Sequence, residues 1–334
     1  MSAPPMLAQQ ICFDDVDVHA RSLVGWQQTY DQLSAGHART TLKHLTAERF
    51  QIFHETLDKR VVQRGAAPRS RLCLGLPSCS EAPGVFQGKR VGGESVTVLH
   101  GGQEFSVQSA EGMDLLGITM DVERLEAFAG REVTEAQLRQ LSHSTRLNVA
   151  PHFVSGLRRQ LETLMDAALA GDTQAEAPLE ALALEAMLVL LDTALERGSE
   201  RGANFAVSAY LVRRSQQLAL DCLDEPLSVM DICQRLNVSR STLQRSFQSV
   251  TGLRPVEYLR AVRLNAARRR LRRTCAGQFT VAEVASDLGF SHLGHFSGAY
   301  KALFGEHPSR TPRSMQRGAR QAGLPPQAQW HLPS

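Results

Sequence analysis

With 334 residues, 43% of them hydrophobic and none in a long low-complexity run, the chain is long enough for two folded domains with cores of their own. Its first residues lack a basic flank ahead of an apolar stretch, and its densest apolar segment, residues 186–191, is far below the roughly 18 residues of a membrane span, so a cytoplasmic protein without membrane association is expected. The net charge of +3 hides a division: from Phe205 onward 18 lysines and arginines face 8 acids, whereas before it 19 face 26, so only the C-terminal part suits a polyanionic partner.

In chain order, the first patterned region runs from residue 71 to 121. Short β-type runs at 72–76, 95–99, 104–107 and 115–120, broken by Gly101-Gly102, predict an antiparallel sheet or partial barrel. Helical patterns follow at 121–128, 151–170 and 176–197. The last two carry broad faces of Leu157, Leu161, Leu164 and Met165, then Leu182, Met187, Leu190 and Leu191, which either complete a core or form a homodimer seam. Trp26, Tyr30 and Phe105 are candidates to line an effector pocket, with ordinary core packing as the alternative. Residues 1–200 are thus read as an α+β sensor or dimerisation domain. A polar, glycine-containing stretch at 196–204 reads as a linker.

The rest, 205–318, reads as an all-α domain holding two similar units, and 319–334 as a loose tail. A helix over 207–223 opens it, with Leu211, Leu218 and Cys222 inward. In the first unit Ser228 caps a short helix with Asp231 three residues on, and Val229, Ile232, Cys233 and Leu236 form its apolar stripe. After a turn at 236–239, Ser239 caps a second helix. There Leu243, Phe247 and Val250 point inward, which leaves Arg240, Ser241, Gln244, Arg245 and Gln248 outward as candidate base or phosphate contacts, against the plainer reading of a solvated face. The second unit repeats the pattern. Thr280 and Glu283 make a capping box, Val281, Val284 and Leu288 an inner stripe, Gly289 a stop, and Ser291 the start of the next helix, with Leu293, Phe296, Tyr300 and Leu303 inward. Ser291, His292, His295, Ser297 and Lys301 are its candidate contacts. Between the units, residues 255–273 read as one helix opened by Pro255. The run of arginines at 268–273 wraps around that helix, so at least half of it is expected to be a solvated face.

No nucleophile elbow, phosphate-binding glycine loop, dinucleotide fingerprint or zinc-protease helix is present, so no enzyme is expected. His292 and His295 have no third or fourth ligand beside them, so no metal and no cofactor are expected. Cys12, Cys73, Cys79, Cys222, Cys233 and Cys275 are scattered and fit packed, reduced thiols; a redox pair of Cys73 and Cys79 would need proximity and a lowered thiol pKa.

A duplicated helix-turn-helix spaced by a basic helix resembles the DNA-binding domain of AraC/XylS-type transcription regulators. The resemblance rests on Ser239, Leu243, Arg245, Phe247, Gly252, Pro255, Tyr258, Leu259, Arg263, Ala267, Leu271, Val284, Ala285, Gly289, Phe290, Phe296, Lys301, Phe304, Gly305 and Pro308, and covers about a third of the chain. Two positions depart from the family pattern: Gly298, where an arginine is usual, and Thr311-Pro312, where a Tyr-Arg pair is usual. Residues 25–33 and 100–107 are similar to segments of the ethanolamine-operon regulators of that family. The resemblance implies a sequence-specific transcription regulator and activator. It would bind double-stranded promoter DNA, dimerise through its N-terminal domain, contact RNA polymerase and answer to a small-molecule effector. Rival readings are an architectural, nucleoid-type DNA binder and a DNA-repair methyl-transfer protein with a similar DNA-binding domain; the latter would need a cysteine cluster that the spacing does not provide.

Overall fold

The structure, a computed structural model, describes residues 6–78, 83–93, 95–129, 145–172, 176–197, 203–223, 225–275 and 277–314. Numbered in chain order, the described residues of the N-terminal half form twelve strands in two antiparallel sheets. The larger sheet runs β1 (Leu7–Phe13), β3 (Thr40–Thr46), β4 (Phe50–Leu57), β11 (Met113–Asp121), β6 (Arg71–Pro77), β9 (Ser95–Leu99) and β12 (Arg146–Asn148). The smaller runs β2 (Gln27–Gln32), β5 (Val61–Ala66), β10 (Glu104–Gln108), β7 (Gly84–Phe86) and β8 (Lys89–Val91). The four strands expected from sequence are β6, β9, β10 and β11. Those before residue 71, the short β7, β8 and β12, and the short helix α1 (Val16–Ser22) were not expected.

Alternation along the strands divides the two faces of the larger sheet. Phe50 and Ile52 of β4, Leu72, Leu74 and Leu76 of β6, and Leu116, Ile118 and Met120 of β11 face α2 (Val122–Ala129), α3 (Pro151–Leu169) and α4 (Glu176–Arg197), in one continuous core. Leu157, Leu161, Met165, Met187 and Leu190 are buried in that core, and Leu164 and Leu182 pack against it. The helix faces offered from sequence as a dimer seam are therefore taken up by the sheet, the alternative reading; the side chain of Leu191 lies outside the described residues.

The opposite face meets the smaller sheet, where Cys73 and Leu99 pack against Phe86, Val91 and Phe105. A large face covered on both sides leaves little room: a Cβ on Gly117 would fall 2.1 Å from the Phe53 ring. Polar groups are sealed between the sheets as well. Tyr30 Oη donates to Glu55 Oε1 at 2.6 Å, Gln63 Nε2 donates to Glu55 Oε2 at 3.1 Å, and His19 Nε2 stands 3.1 Å from Glu55 Oε1.

The C-terminal half is all helix: α5 (Ala203–Asp221), α6 (Val229–Leu236), α7 (Arg240–Thr251), α8 (Pro255–Arg273), α9 (Val281–Asp287) and α10 (Leu293–Phe304), then a 3₁₀ turn at Pro308–Arg310. Its core gathers Ile232, Leu243, Phe247, Tyr258, Val262, Leu271, Val284, Phe296, Tyr300 and Phe304, and it also takes in Leu33 and Val62 from the N-terminal half. Most of the stretch expected as a linker, residues 198–202, lies outside the described residues, as does the expected tail from 319.

Candidate nucleic-acid interface

The first helix-turn-helix is α6 and α7. Ser228 Oγ accepts from Asp231 N at 3.2 Å and Asp231 accepts from Ser228 N at 2.8 Å, a complete capping box that holds the Asp231 carboxyl below its usual range. Asn237 closes α6 with a left-handed φ of 51°, and Ser239 Oγ then accepts from Thr242 N at 3.1 Å to open α7. With Leu243, Phe247 and Val250 buried, Arg240, Ser241, Gln244, Arg245 and Gln248 are all exposed, as expected. Two of them are partly engaged at home: Ser241 Oγ lies 2.9 Å from Ser239 Oγ, and Gln248 Nε2 reaches Gly252 O at 3.5 Å. Gln244 and Arg245 make no such bond among the described residues.

The second unit is α9 and α10. Thr280 and Glu283 form the expected capping box, with Glu283 N to Thr280 Oγ1 at 3.1 Å and Thr280 N to Glu283 Oε2 at 2.7 Å. Gly289 follows with φ +74°, and a Cβ there would meet Pro226 Cγ at 2.3 Å, so the turn needs glycine twice over. Two expectations are corrected here. The helix is not opened by Ser291: it starts one residue later, with His292 as an N-cap that makes no side-chain bond. Leu293 is 47% exposed rather than inward, because the core positions of this register are Phe296, Tyr300, Leu303 and Phe304. The outward surface comprises Ser291, His292, Leu293, Gly294, His295, Gly298 and Lys301, with Ser297 half-buried. Leu293 thus adds an exposed apolar side chain to this surface, which sequence periodicity had assigned to the core. The rings of His292 and His295 lie 5.8 Å apart. Among the described residues the ligand group of His54, Asp114 and Glu162 lies elsewhere, and both its carboxylates already pair with Arg158.

Four of the five arginines at 268–273 are paired rather than forming the solvated face expected, and only Arg273 is exposed. Arg268 Nε donates to Asp15 Oδ2 at 2.7 Å and its Nη1 to Glu306 Oε1 at 2.7 Å, and its guanidinium lies 4.6 Å over the Phe304 ring. Burial works against its charge, yet Asp15, Tyr300 and Glu306 together outweigh that and hold the pKa up. Arg269 Nη1 meets Asp31 Oδ1 at 2.5 Å, Arg272 Nη1 meets Asp15 Oδ2 at 3.0 Å, and Arg270 Nη2 meets Asp287 Oδ2 at 2.6 Å. Asp15 and Asp31 are buried residues of the N-terminal half, out of reach of any local sequence pattern.

That half also grips the far ends of both outward helices. Gln32 Nε2 donates to Leu303 O of α10 at 2.6 Å, and Arg60 Nη1 to Thr251 O of α7 at 3.0 Å. Both carbonyls sit in last turns, where a helix has no partner of its own to offer. Between them Asn265 of α8 exchanges two bonds with the Gln32 backbone, at 3.0 and 2.8 Å.

Beside α7 lies an open cleft of about 490 Å³, walled by Arg240, Gln244, Arg254, Val256, Glu257 and Arg260 among others. Arg263, one turn beyond Arg260, stacks 5.3 Å over Phe290. Arg254 and Arg260 were not among the residues singled out from sequence; their signal was position, at the outward start of a helix whose other end is paired.

Residues 232–314 match the helix-turn-helix domain family. The chain is 36% identical over 103 residues to the probable thc operon regulatory protein of Rhodococcus erythropolis, covering 30% of this chain and 31% of that one. It is 30% identical over 122 residues to XylDLEGF operon transcriptional activator 2 of Pseudomonas putida, covering 36% of this chain and 76% of that relative. The chain belongs to the AraC/XylS family of transcription regulators. A solved transcriptional regulator of Chromobacterium violaceum with an AraC-type DNA-binding domain is 32% identical, with a TM-score of 0.30, over 32% of this chain and 92% of that one. The chain spans 28% to 40% of the length of the first three curated relatives it matches. None of the proteins named here is an ethanolamine-operon regulator, so that likeness rests on the two short N-terminal segments alone.

The two departures from the AraC/XylS pattern have different consequences. Gly298 is exposed, with nothing within 4 Å of where a Cβ would stand, so the missing arginine leaves an empty place on the outward face. Thr311 is buried and takes a structural part, its Oγ1 2.6 Å from Tyr300 Oη and 2.9 Å from Glu306 Oε1.

Proposed function

We propose that the protein is a sequence-specific DNA-binding transcription regulator that sets α7 into one major groove and α10 into the next. The observation that carries this is two helices with exposed outward faces, each closed by a left-handed glycine and joined through a single helix of 19 residues. At about 1.5 Å per residue α8 is about 28 Å long, against the about 34 Å between successive major-groove faces on one side of the duplex. Gln244 and Arg245 are the principal base contacts, with Arg240, Ser241 and Gln248 beside them. Ser291, His292, His295, Ser297 and Lys301 contribute mainly through backbone and shape.

The family supports the wider reading: a cytoplasmic activator, dimeric through residues 1–200, that binds promoters through residues 205–318 and contacts RNA polymerase. A dimer would use a surface other than the buried faces of α3 and α4. A small effector is supported by a cavity of about 110 Å³ at the seam of the two halves, where Val62 and Ser106 face Val212 and Gln216. Gln216 is buried and its Nε2 has no partner among the described residues, so an acceptor-bearing molecule there would meet an unused donor that both halves surround. Trp26, Tyr30 and Phe105 line a smaller cavity, of about 50 Å³, between the sheets.

Selection of binding sites by the full chain from a random duplex library tests the reading. Two short conserved blocks one helical turn apart are expected. Enrichment of no sequence, with protection spread along the DNA, would instead favour an architectural binder.

A further inference from the structure

We infer that the cleft between α7 and the start of α8 binds a backbone phosphate of the DNA, and that Arg254 and Arg260, rather than the arginine run, are its cations. The inference rests on α7 being a base-reading helix, and it names what fixes that helix in register.

The cleft is shared. Arg240 and Gln244 of α7 form one wall, and Arg254 and Arg260 of α8 stand opposite. A strand whose bases meet Gln244 must carry its sugar-phosphate chain past the edge of the same helix, into the space those arginines border. All three arginines are exposed, and none pairs with a carboxylate among the described residues. The one carboxylate in the cleft, Glu257, already accepts from Arg254 N at 2.9 Å. It fixes the first turn of α8 and so holds the Arg254 side chain at the rim.

The contrast with the other end of α8 gives the inference its content. Arg268, Arg269, Arg270 and Arg272 are each paired with Asp15, Glu306, Asp31 or Asp287. A cation already paired within the protein displaces no condensed counterion when DNA arrives. A free one does, and that release is what makes binding depend on salt. Charge counting along the sequence would give the run of arginines the larger share of phosphate contacts. The pairing takes away four of its five members, leaving only the exposed Arg273 at the end of the helix, and assigns the contacts in the cleft to two scattered arginines that composition does not distinguish. A guanidinium suits the task, since its fork of N–H donors matches two phosphate oxygens at once.

Full-length protein and single variants, checked for unchanged melting temperature, are titrated with a duplex carrying the selected site and with a scrambled duplex, over a range of KCl concentrations. Arg254→Gln and Arg260→Gln should each reduce the slope of log K against log salt by about 0.9. That slope corresponds to about an eightfold loss at 0.1 M salt relative to 1 M. The loss should be equal on the two duplexes, because a phosphate contact carries no sequence information. Arg260→Lys should keep the slope. Arg269→Gln, and Arg214→Gln on the exposed side of α5, should leave it at the wild-type value. Unchanged slopes for both Arg254→Gln and Arg260→Gln, or a slope for Arg269→Gln reduced as much as theirs, would overturn the assignment. Losses confined to the selected site would overturn it too, by making these residues base readers. Wild-type protein that binds neither duplex would instead overturn the regulator reading on which the inference rests.

Discussion

Asp15 Oδ2 and Arg268 Nε lie 2.7 Å apart across 253 residues of sequence, and both side chains are more than nine-tenths buried. The same oxygen takes Arg272 Nη1 at 3.0 Å, while Asp15 Oδ1 caps α1 through Asp17 N at 2.9 Å and Val18 N at 3.1 Å. One carboxylate therefore fixes the start of a helix in the N-terminal half and the second half of the helix that joins the two helix-turn-helix units. Any change in the N-terminal half that moves α1 acts on α8 directly.

Asp15→Ala should be among the most destabilising single substitutions in the chain. Removing one partner of a buried pair leaves the other charge uncompensated, at about 3–5 kcal/mol, and loss of the cap adds about 1 kcal/mol. Lys43→Ala is the control, since its ion pair with the well-exposed Asp166 should contribute no more than about 1 kcal/mol. Urea unfolding of the three proteins measures both. Equal, small losses would mean that apolar packing alone holds the halves together.

The extent of α8 was legible because its signals are local: a proline at the first position, good helix formers behind it, and a stop after Arg273. The same holds for both capping boxes. The first five strands were not legible, because several of their buried positions are polar. Tyr30, Asp31 and Gln32 in β2 and Gln51 and Glu55 in β4 are all buried, so the apolar alternation that marks a strand is lost. The partners of the arginine run were hidden for a different reason. Asp15 and Asp31 lie more than two hundred residues away, and only the tertiary fold brings them to Arg268 and Arg269.

Alkaline pH should destabilise the protein from about pH 9. Burial pushes the Cys73 thiol up from an ordinary value of 9.0 to about 12, with Arg71 opposing weakly, and burial likewise takes Tyr300 from 10.0 to about 12. In the unfolded chain these groups lose their protons at their ordinary values, while the folded state holds them. The contribution is thus complete below about pH 9 and is lost as pH rises towards 12. Melting temperature followed from pH 7 to 11 should be flat and then fall, and Cys73→Ala should remove the part of the fall that begins near 9. A thiol so placed is also a poor redox partner: exposed Cys12 should react with iodoacetamide in the native protein at pH 8, and Cys73 should not. Cys79, its proposed partner, lies outside the described residues.

Two glycines should respond to alanine in opposite directions. At Gly298 a Cβ meets nothing within 4 Å, so Gly298→Ala should stabilise α10 by up to about 1 kcal/mol through helix propensity alone. At Gly117 the same atom would strike the Phe53 ring at 2.1 Å, and Gly117→Ala should destabilise by about 1–3 kcal/mol through overpacking. Thermal unfolding distinguishes them. A fall in stability for Gly298→Ala would show that this end of α10 needs its flexibility.

The two recognition helices should read DNA unequally. α7 presents Gln244 and Arg245, both exposed and both able to bond two atoms of one base edge. α10 presents two imidazoles, bare backbone at Gly294 and Gly298, and the side chain of Leu293. Arg245→Ala should weaken the selected site by about 1–3 kcal/mol and relax preference at one base pair, because a bidentate contact to a single base is lost. His295→Ala should weaken binding without moving the consensus. Sites selected from a random library by the wild type and both variants give the comparison: the half-site under α10 should carry less sequence information than the half-site under α7. Equal information in both halves, or a consensus that survives Arg245→Ala intact, would place base reading on other residues, and Leu293 on α10 would be the next to test.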